Sequence, residues 1–579
     1  MDQGRCGYYN IVFELHLSRP IALNTQENSR LPYRWARSGD INAFFGLMLD
    51  NIAGLILMVA LLSGFGFPVD FVVSAMIPGT ALGVLIGDLA FFALAFWLAK
   101  RTGRDDVTAM PLGLDTPSTF GIILFILGPS YLQGLGMQLS EQEAAYRTWH
   151  IGIWCIVLSG ILKFALAPFT EIVRRVIPRA GLLGSLAAIA LVLISFIPLM
   201  EIFRHPLPGM LALVIVLSTL VGRIPLPGRT PGTLGALLVA SIVFYVMCLI
   251  PGTAYEFPQA PDGIQWFPAQ WLEAWQFNWL ANFDDAIPYL PIALPFAIGT
   301  VVGGIDCTES AAAAGDKYDT RTVIGVEAFA TLLAGFSGGV IQTTPYIGHP
   351  AYKAMGGRAA YTLGTALLIG SAGLVGYFGW INAYIPAATV YPILVFVGLE
   401  ITAQSFLATP RRHYAAVALA CLPALAFLAL SFPNQMFGDA ALRDADINLA
   451  SLQDGLLKAN LKTVGMLSSG FIITSLLWAW TLAKIVDREV KQAGFVMTLA
   501  GVLTAFGIIH SPLPGNQLFV LYGPESWGNI VLDATNRGPV LEYVAGYFAC
   551  AILLAVWSLR PDLNSPVTDE EDHETTPHS

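Results

Sequence analysis

Charge is scarce in this chain. Only 12% of its 579 residues are Asp, Glu, Lys or Arg, about half the share of a soluble globular protein. So few charges cannot cover a water-facing surface of this size, which excludes a soluble globular class. Cysteine is sparse as well: Cys6, Cys155, Cys248, Cys307, Cys421 and Cys550 are scattered, without a CxxC pair or metal-ligand spacing. Disulfide-stapled secreted scaffolds and zinc sites are therefore not indicated. There is no HExxH, no GxSxG and no Cys/His set, so an intramembrane enzyme or a resident cofactor or metal is not expected. Excess positive charge is also lacking. A net charge of -10 argues against a nucleic-acid partner.

Apolar residues make up 55% of the chain. A helix that crosses a hydrocarbon core of about 30 Å needs roughly 20 of them in a row. Sixteen such runs occur, near 43–65, 70–99, 109–131, 149–170, 180–200, 207–222, 232–250, 287–314, 321–340, 342–356, 359–381, 386–406, 412–432, 463–483, 492–510 and 540–559. The polar segment 1–42 has no signal-peptide core, so the first run is expected to be retained. With segment 1–42 inside, most Lys and Arg fall in inner loops, among them Lys100, Arg101, Arg104, Lys317, Arg321, Lys353, Arg358, Arg411, Arg412, Lys484 and Arg488. That bias predicts a multi-pass protein of an inner or plasma membrane with both termini cytoplasmic. The segment 251–286 has no Lys or Arg, and its Trp271, Trp275 and Trp279 recur at helical spacing. It reads as an external interfacial helix. The tail 561–579 is acidic and Pro-containing and reads as disordered.

Two sets of seven spans, 43–250 and 287–483, start from opposite sides of the membrane and so are inverted relative to each other. Spans at 484–560 fall outside that repeat. The third span of the first half opens with Met110-Pro111-Leu112-Gly113-Leu114-Asp115-Thr116-Pro117, and that of the second with Gln342-Thr343-Thr344-Pro345-Tyr346-Ile347-Gly348-His349-Pro350. Pro and Gly forbid an unbroken helix in both. Backbone of this kind survives at membrane depth only inside protein or against a cavity, and paired interruptions point to a transport site. Carboxylates within the first span of each half reinforce this. Asp50 lies in one, and Asp306 and Glu309, on one helix face, lie in the other. Two nearby acids in a poorly hydrated place suit a proton carrier. Asp88, Lys163, Glu327 and Glu400 rank lower: each could belong to an ion path, but Lys163 can snorkel toward the cytoplasmic surface and any of them can form a buried pair.

The stretch Gly338 to Arg358 resembles the tenth-span motif of the nucleobase:cation symporter family (xanthine, uracil and ascorbate permeases), and within it the adenine/guanine/hypoxanthine branch. Thr343, Thr344, Tyr346 and Gly356-Gly357-Arg358 carry the likeness. It implies an all-α integral membrane protein with a 7+7 inverted-repeat fold. A core domain (spans 1–4 and 8–11) would meet a gate domain (spans 5–7 and 12–14), with short extended segments in spans 3 and 10. It further implies a secondary transporter that moves a nucleobase-like solute with H⁺, or Na⁺, by alternating access. The sequence departs from that family where a second acid should grip the base, because Gly348 and His349 stand there. Either Glu309 supplies the acid or His349 turns the site toward organic or inorganic anions; a passive channel is a further alternative. The expected solute site is Asp306, Glu309, Leu114, Asp115, Thr116, Ser118, Gln342, Thr343, Thr344, Tyr346 and His349. Asp306, Glu309 and Asp50 are the expected coupling-ion residues, lipid is the expected surrounding, and a homodimer is left open.

Overall fold

The structure is a computed structural model and describes residues 33–170, 179–259, 266–438, 451–513, 518–523 and 531–560. Most of the expected segment 1–42 and the tail 561–579 lie outside them. Among the described residues nine helices are long and apolar enough to cross a membrane. They are span 1 (Gly39–Ser63), span 2 (Val69–Thr102), span 3 (Thr116–Gly136), span 4 (Glu141–Phe169), span 5 (Leu183–Arg204), span 8 (Asn278–Ala313), span 12 (Ala387–Leu407), span 13 (Arg411–Met436) and span 16 (Ala534–Trp557). Two further pairs are bent: span 11 (Ala360–Val375 with Phe378–Tyr384, 96°) and span 14 (Leu456–Ser468 with Phe471–Val486, 75°). The shorter apolar helices Pro206–Val221, Gly232–Cys248 and Val490–Ala505 are spans 6, 7 and 15. Span 9 (Thr320–Phe336) and the broken span 10 complete the series.

The packing pattern repeats across the two halves. Span 2 packs on span 11 as span 9 packs on span 4, and span 1 meets span 11 as span 8 meets span 4. Spans 6 and 7 form a hairpin against span 12, while spans 13 and 14 pack on each other and on span 5. Each contact thus has its counterpart when the halves are exchanged. This is the 7+7 inverted repeat, with spans 1–4 and 8–11 as core and spans 5–7 and 12–14 as gate. Spans 15 and 16 pack on each other, and span 15 packs on span 14.

Glycine sets the closest approaches. A Cβ on Gly79 of span 2 would lie 2.2 Å from the Ser337 carbonyl oxygen and 2.3 Å from the Gly339 nitrogen, at the end of span 9. In the gate, Gly398 of span 12 abuts Ser195 and the Ala190 carbonyl, where span 5 widens into a π-helical turn over Ala190–Ser195. The segment 270–282 is not one amphipathic helix. It forms two 3₁₀ helices broken at Phe277 (φ 58°), so the indoles diverge: Trp279 is buried and stacked edge-on against Trp154, whereas Trp275 is exposed.

Candidate functional site

The two interrupted stretches meet. Leu112–Leu114 (β1) and Thr343–Pro345 (β2) form an antiparallel pair in which Leu112 faces Pro345, Gly113 faces Thr344 and Leu114 faces Thr343. Gly113 and Thr344 are thus the central pair, as an axis relating the two halves requires. Pro111 and Pro345 bias the preceding residues toward extended backbone. Asp115 then caps span 3 by accepting the Ser118 N–H at 2.8 Å, with Pro117 in the first turn.

Three residues per strand cannot saturate a backbone in hydrocarbon, so side chains from the core spans do the rest. The Leu112 N–H donates to the Asp88 carboxylate (3.1 Å) and the Leu114 N–H to the Asn51 side-chain oxygen (3.2 Å). The Asp115 N–H donates to the Gln342 carbonyl (2.9 Å) and the Tyr346 N–H to the Pro111 carbonyl (2.8 Å). On β2 the Thr343 N–H meets the Thr331 hydroxyl (3.3 Å), and Lys163 Nζ donates to the Thr343 carbonyl (3.0 Å). Of the two readings open for it, a reach to the surface or a buried pair, Lys163 takes the second. Its side chain is wholly buried and paired with the equally buried Glu327 at 2.8 Å.

In front of the strand pair lies a cavity of about 440 Å³ between core and gate. Core spans contribute Leu114, Asp115, Thr116, Thr300, Gly303, Asp306, Glu309, Thr344 and Tyr346. The opposite wall is Leu183 and Leu186 of span 5 with Val397, Ile401, Gln404 and Ser405 of span 12. Ala313, Leu407 and Ala408 line the cavity where spans 8 and 12 end, on the same side as the basic loops around Arg104, Lys317 and Arg411. Three carboxylates and no basic side chain face it.

The other expected residues lie elsewhere. Ser118 is buried against Asp115, Gln342 is buried with its side-chain oxygen 3.5 Å from the Thr300 hydroxyl, and Thr343 points rearward to Thr331. Asp50 is buried behind Gly113, where it is the counterpart of Asp306 in the first half. His349 does not reach the cavity. It is buried at the inner end of span 10, 3.3 Å from Asp316, and 3.2 Å from the Thr108 carbonyl. Asp316 also binds Lys353 (2.6 Å), Arg104 (3.2 Å) and the Thr108 N–H (3.0 Å). Burial pushes this carboxyl up, but the hydrogen bonds from His349, Lys353 and Thr108 outweigh it and hold Asp316 below its ordinary range. The cavity's Thr300, Gly303 and gate residues, and the Lys163–Glu327 pair behind it, were not singled out as site residues from sequence. The one available signal was that Lys163 and Glu327 are opposite charges within apolar runs of the expected core.

No family model matches the chain, and no curated protein matches it. Among solved structures it is similar to the transmembrane domain of a cyanobacterium bicarbonate transporter BicA, with a TM-score of 0.41, 16% identity, and coverage of 69% of this chain and 96% of that one. It is also similar to the overall structure of SLC26A9, with a TM-score of 0.44, 12% identity, and coverage of 92% and 91%. The resemblance to the nucleobase:cation symporter family is corrected by these findings, since neither structure is a nucleobase permease. Geometry explains the false likeness: Thr343 to Tyr346 must be extended to pair with β1, and Gly356 takes φ +83° to turn span 10 toward span 11. Those residues answer the demands of the fold rather than of one solute. The chain is a multi-pass membrane protein with the fold of a transporter.

Proposed function

We infer that this protein is a secondary transporter that carries a small anion, a carboxylate or an oxyanion, together with protons. The observation that carries the reading is the cavity itself. It lies where the two broken spans meet, and its polar wall is three acids, Asp115, Asp306 and Glu309, with hydroxyls of Thr116, Thr300, Ser310 and Thr344. An ionised carboxylate repels an anion, whereas a protonated one donates a hydrogen bond to it, worth about 1.5–3 kcal/mol to a charged acceptor. Anion binding and proton uptake are then obligatorily linked, with Asp306 and Glu309 as the carriers. The half-helix end at Thr116 adds a favourable dipole. Movement of core against gate would close the mouth between spans 8 and 12 and open the opposite side, and both described ends would lie on the basic, cytoplasmic face.

Proteoliposome uptake tests the reading. An imposed proton gradient is expected to concentrate a small anion above its equilibrium level, and purified protein at a hundred times the anion's Kd gains about 2.7 kcal/mol of stability. Asp306→Asn, which mimics the protonated acid, is expected to keep binding while losing the pH dependence of uptake. If the gradient drives no accumulation of any small anion, or Asp306→Asn retains the parent's pH profile, the reading fails.

A further inference from the structure

Each strand of the central pair is held from behind, and the two are held by groups of opposite character. β1 is held by acceptors: the Asp88 carboxylate on the Leu112 N–H and the Asn51 amide oxygen on the Leu114 N–H. β2 is held by a cation: Lys163 Nζ donates to the Thr343 carbonyl at 3.0 Å and reaches toward the Thr331 hydroxyl at 3.4 Å. No other lysine among the described residues is buried. Its counter-ion Glu327 lies behind the cavity wall, because a carboxylate oxygen is only 2.7 Å from where a Cβ on Gly304, the neighbour of the wall residue Gly303, would stand. The ion pair is thus one side-chain layer behind the polar wall, with its direct contact to the strand pair at the Thr343 carbonyl of β2.

A fully buried ion pair does little for stability, because desolvating two charges offsets their attraction. A strut between spans 4 and 9 would be served as well by apolar side chains. What apolar side chains could not supply is a fixed positive charge beside the β2 carbonyl, in a low-dielectric wall that screens it poorly. We propose that Lys163 is a specificity-determining residue that makes the β2 side of the cavity attractive to anions, and that Glu327 sets the strength of that attraction by partial neutralisation. This rests on the anion reading above and names which end of the strand pair the anion's charge faces: the Leu114–Thr343 end, beside Thr344 and away from Leu112 and Asp88.

Two variants separate this role from that of a strut. Lys163→Met/Glu327→Leu removes the pair without leaving an orphan charge, and is expected to fold with the affinity for acetate, bicarbonate or sulfate lowered by about tenfold or more, read as ligand-dependent thermal stabilisation at fixed sodium. Glu327→Gln keeps the cation and removes its counter-charge, and is expected to bind the same anion more tightly than the parent, whereas a strut weakened by the same change would bind equally or less well. Parent-like affinity in the double variant, or unchanged or weaker affinity in Glu327→Gln, overturns the proposal while leaving the transport reading intact. Absence of anion-dependent stabilisation in the parent overturns both.

Discussion

At the scale of single residues, the site is a problem of satisfying backbone where no water is present. Asn51 is an example: its side-chain oxygen takes the Leu114 N–H, and its amide nitrogen donates to the Leu47 carbonyl at 3.0 Å, so both ends of the amide are used. Asn51→Leu is expected to orphan the Leu114 N–H at a cost of about 1–3 kcal/mol, read as a lower unfolding temperature in detergent with weaker anion binding; an unchanged melting curve would show that β1 does not depend on this bond. Asp316 is the other residue of consequence, because it ties the loop after span 2, the loop after span 8 and the inner end of span 10. Its folded pKa lies below the unfolded value of about 3.9, so its contribution is fully present above that value and is lost as pH falls through the lower, folded one. Between pH 7 and pH 5 the clasp should therefore not weaken through Asp316, whereas Asp316→Asn, which leaves Arg104 and Lys353 facing a neutral group, should destabilise at both pH values by about 1–3 kcal/mol. Melting curves of parent and variant across that range check both statements.

At the scale of elements, small residues decide which helices touch. Gly79→Ala would drive a methyl group against the backbone of Ser337 and Gly339, atoms that cannot rotate away. Overpacking usually costs about 1–3 kcal/mol, and a backbone obstacle places this case at or beyond the upper end. The expected result is a broadened or aggregated size-exclusion peak; a monodisperse, transport-competent Gly79→Ala protein would mean that spans 2 and 9 separate more readily than their contact suggests. The interruptions at Pro111 and Pro345, the acid pair on span 8 and the inverted halves were legible in the sequence, because proline, glycine and membrane-buried charge each carry a local penalty that a reader can see. The rearward turn of Thr343 and the withdrawal of His349 were not legible. Alternation along a three-residue strand sends Thr343 and Thr344 to opposite sides, and which side is the cavity is set by spans 5 and 12, far away in the chain.

At the scale of the whole molecule, spans 15 and 16 stand outside the repeat. They are joined to it through span 14 and through His510, which contacts the Met466 carbonyl (3.0 Å) and the Tyr547 hydroxyl (2.7 Å), while Trp478 donates to that same hydroxyl (2.9 Å). Because no residue of these two spans lines the cavity, a chain stopped at Glu489 is expected to retain proton-driven uptake with reduced thermal stability. Loss of uptake in a folded, monodisperse truncation would show that the added spans take part in the cycle.

Composition and run length by themselves determined that the chain lives in a bilayer, roughly how many times it crosses, and that its halves run in opposite directions, because the cost of exposing polar backbone or charge to hydrocarbon is paid residue by residue. Tertiary structure alone decided that the two broken segments form one strand pair, which of the embedded charges face the cavity, and that Lys163 turns inward to Glu327 rather than outward to the surface. Those outcomes depend on partners more than a hundred residues apart, whose meeting no local pattern encodes.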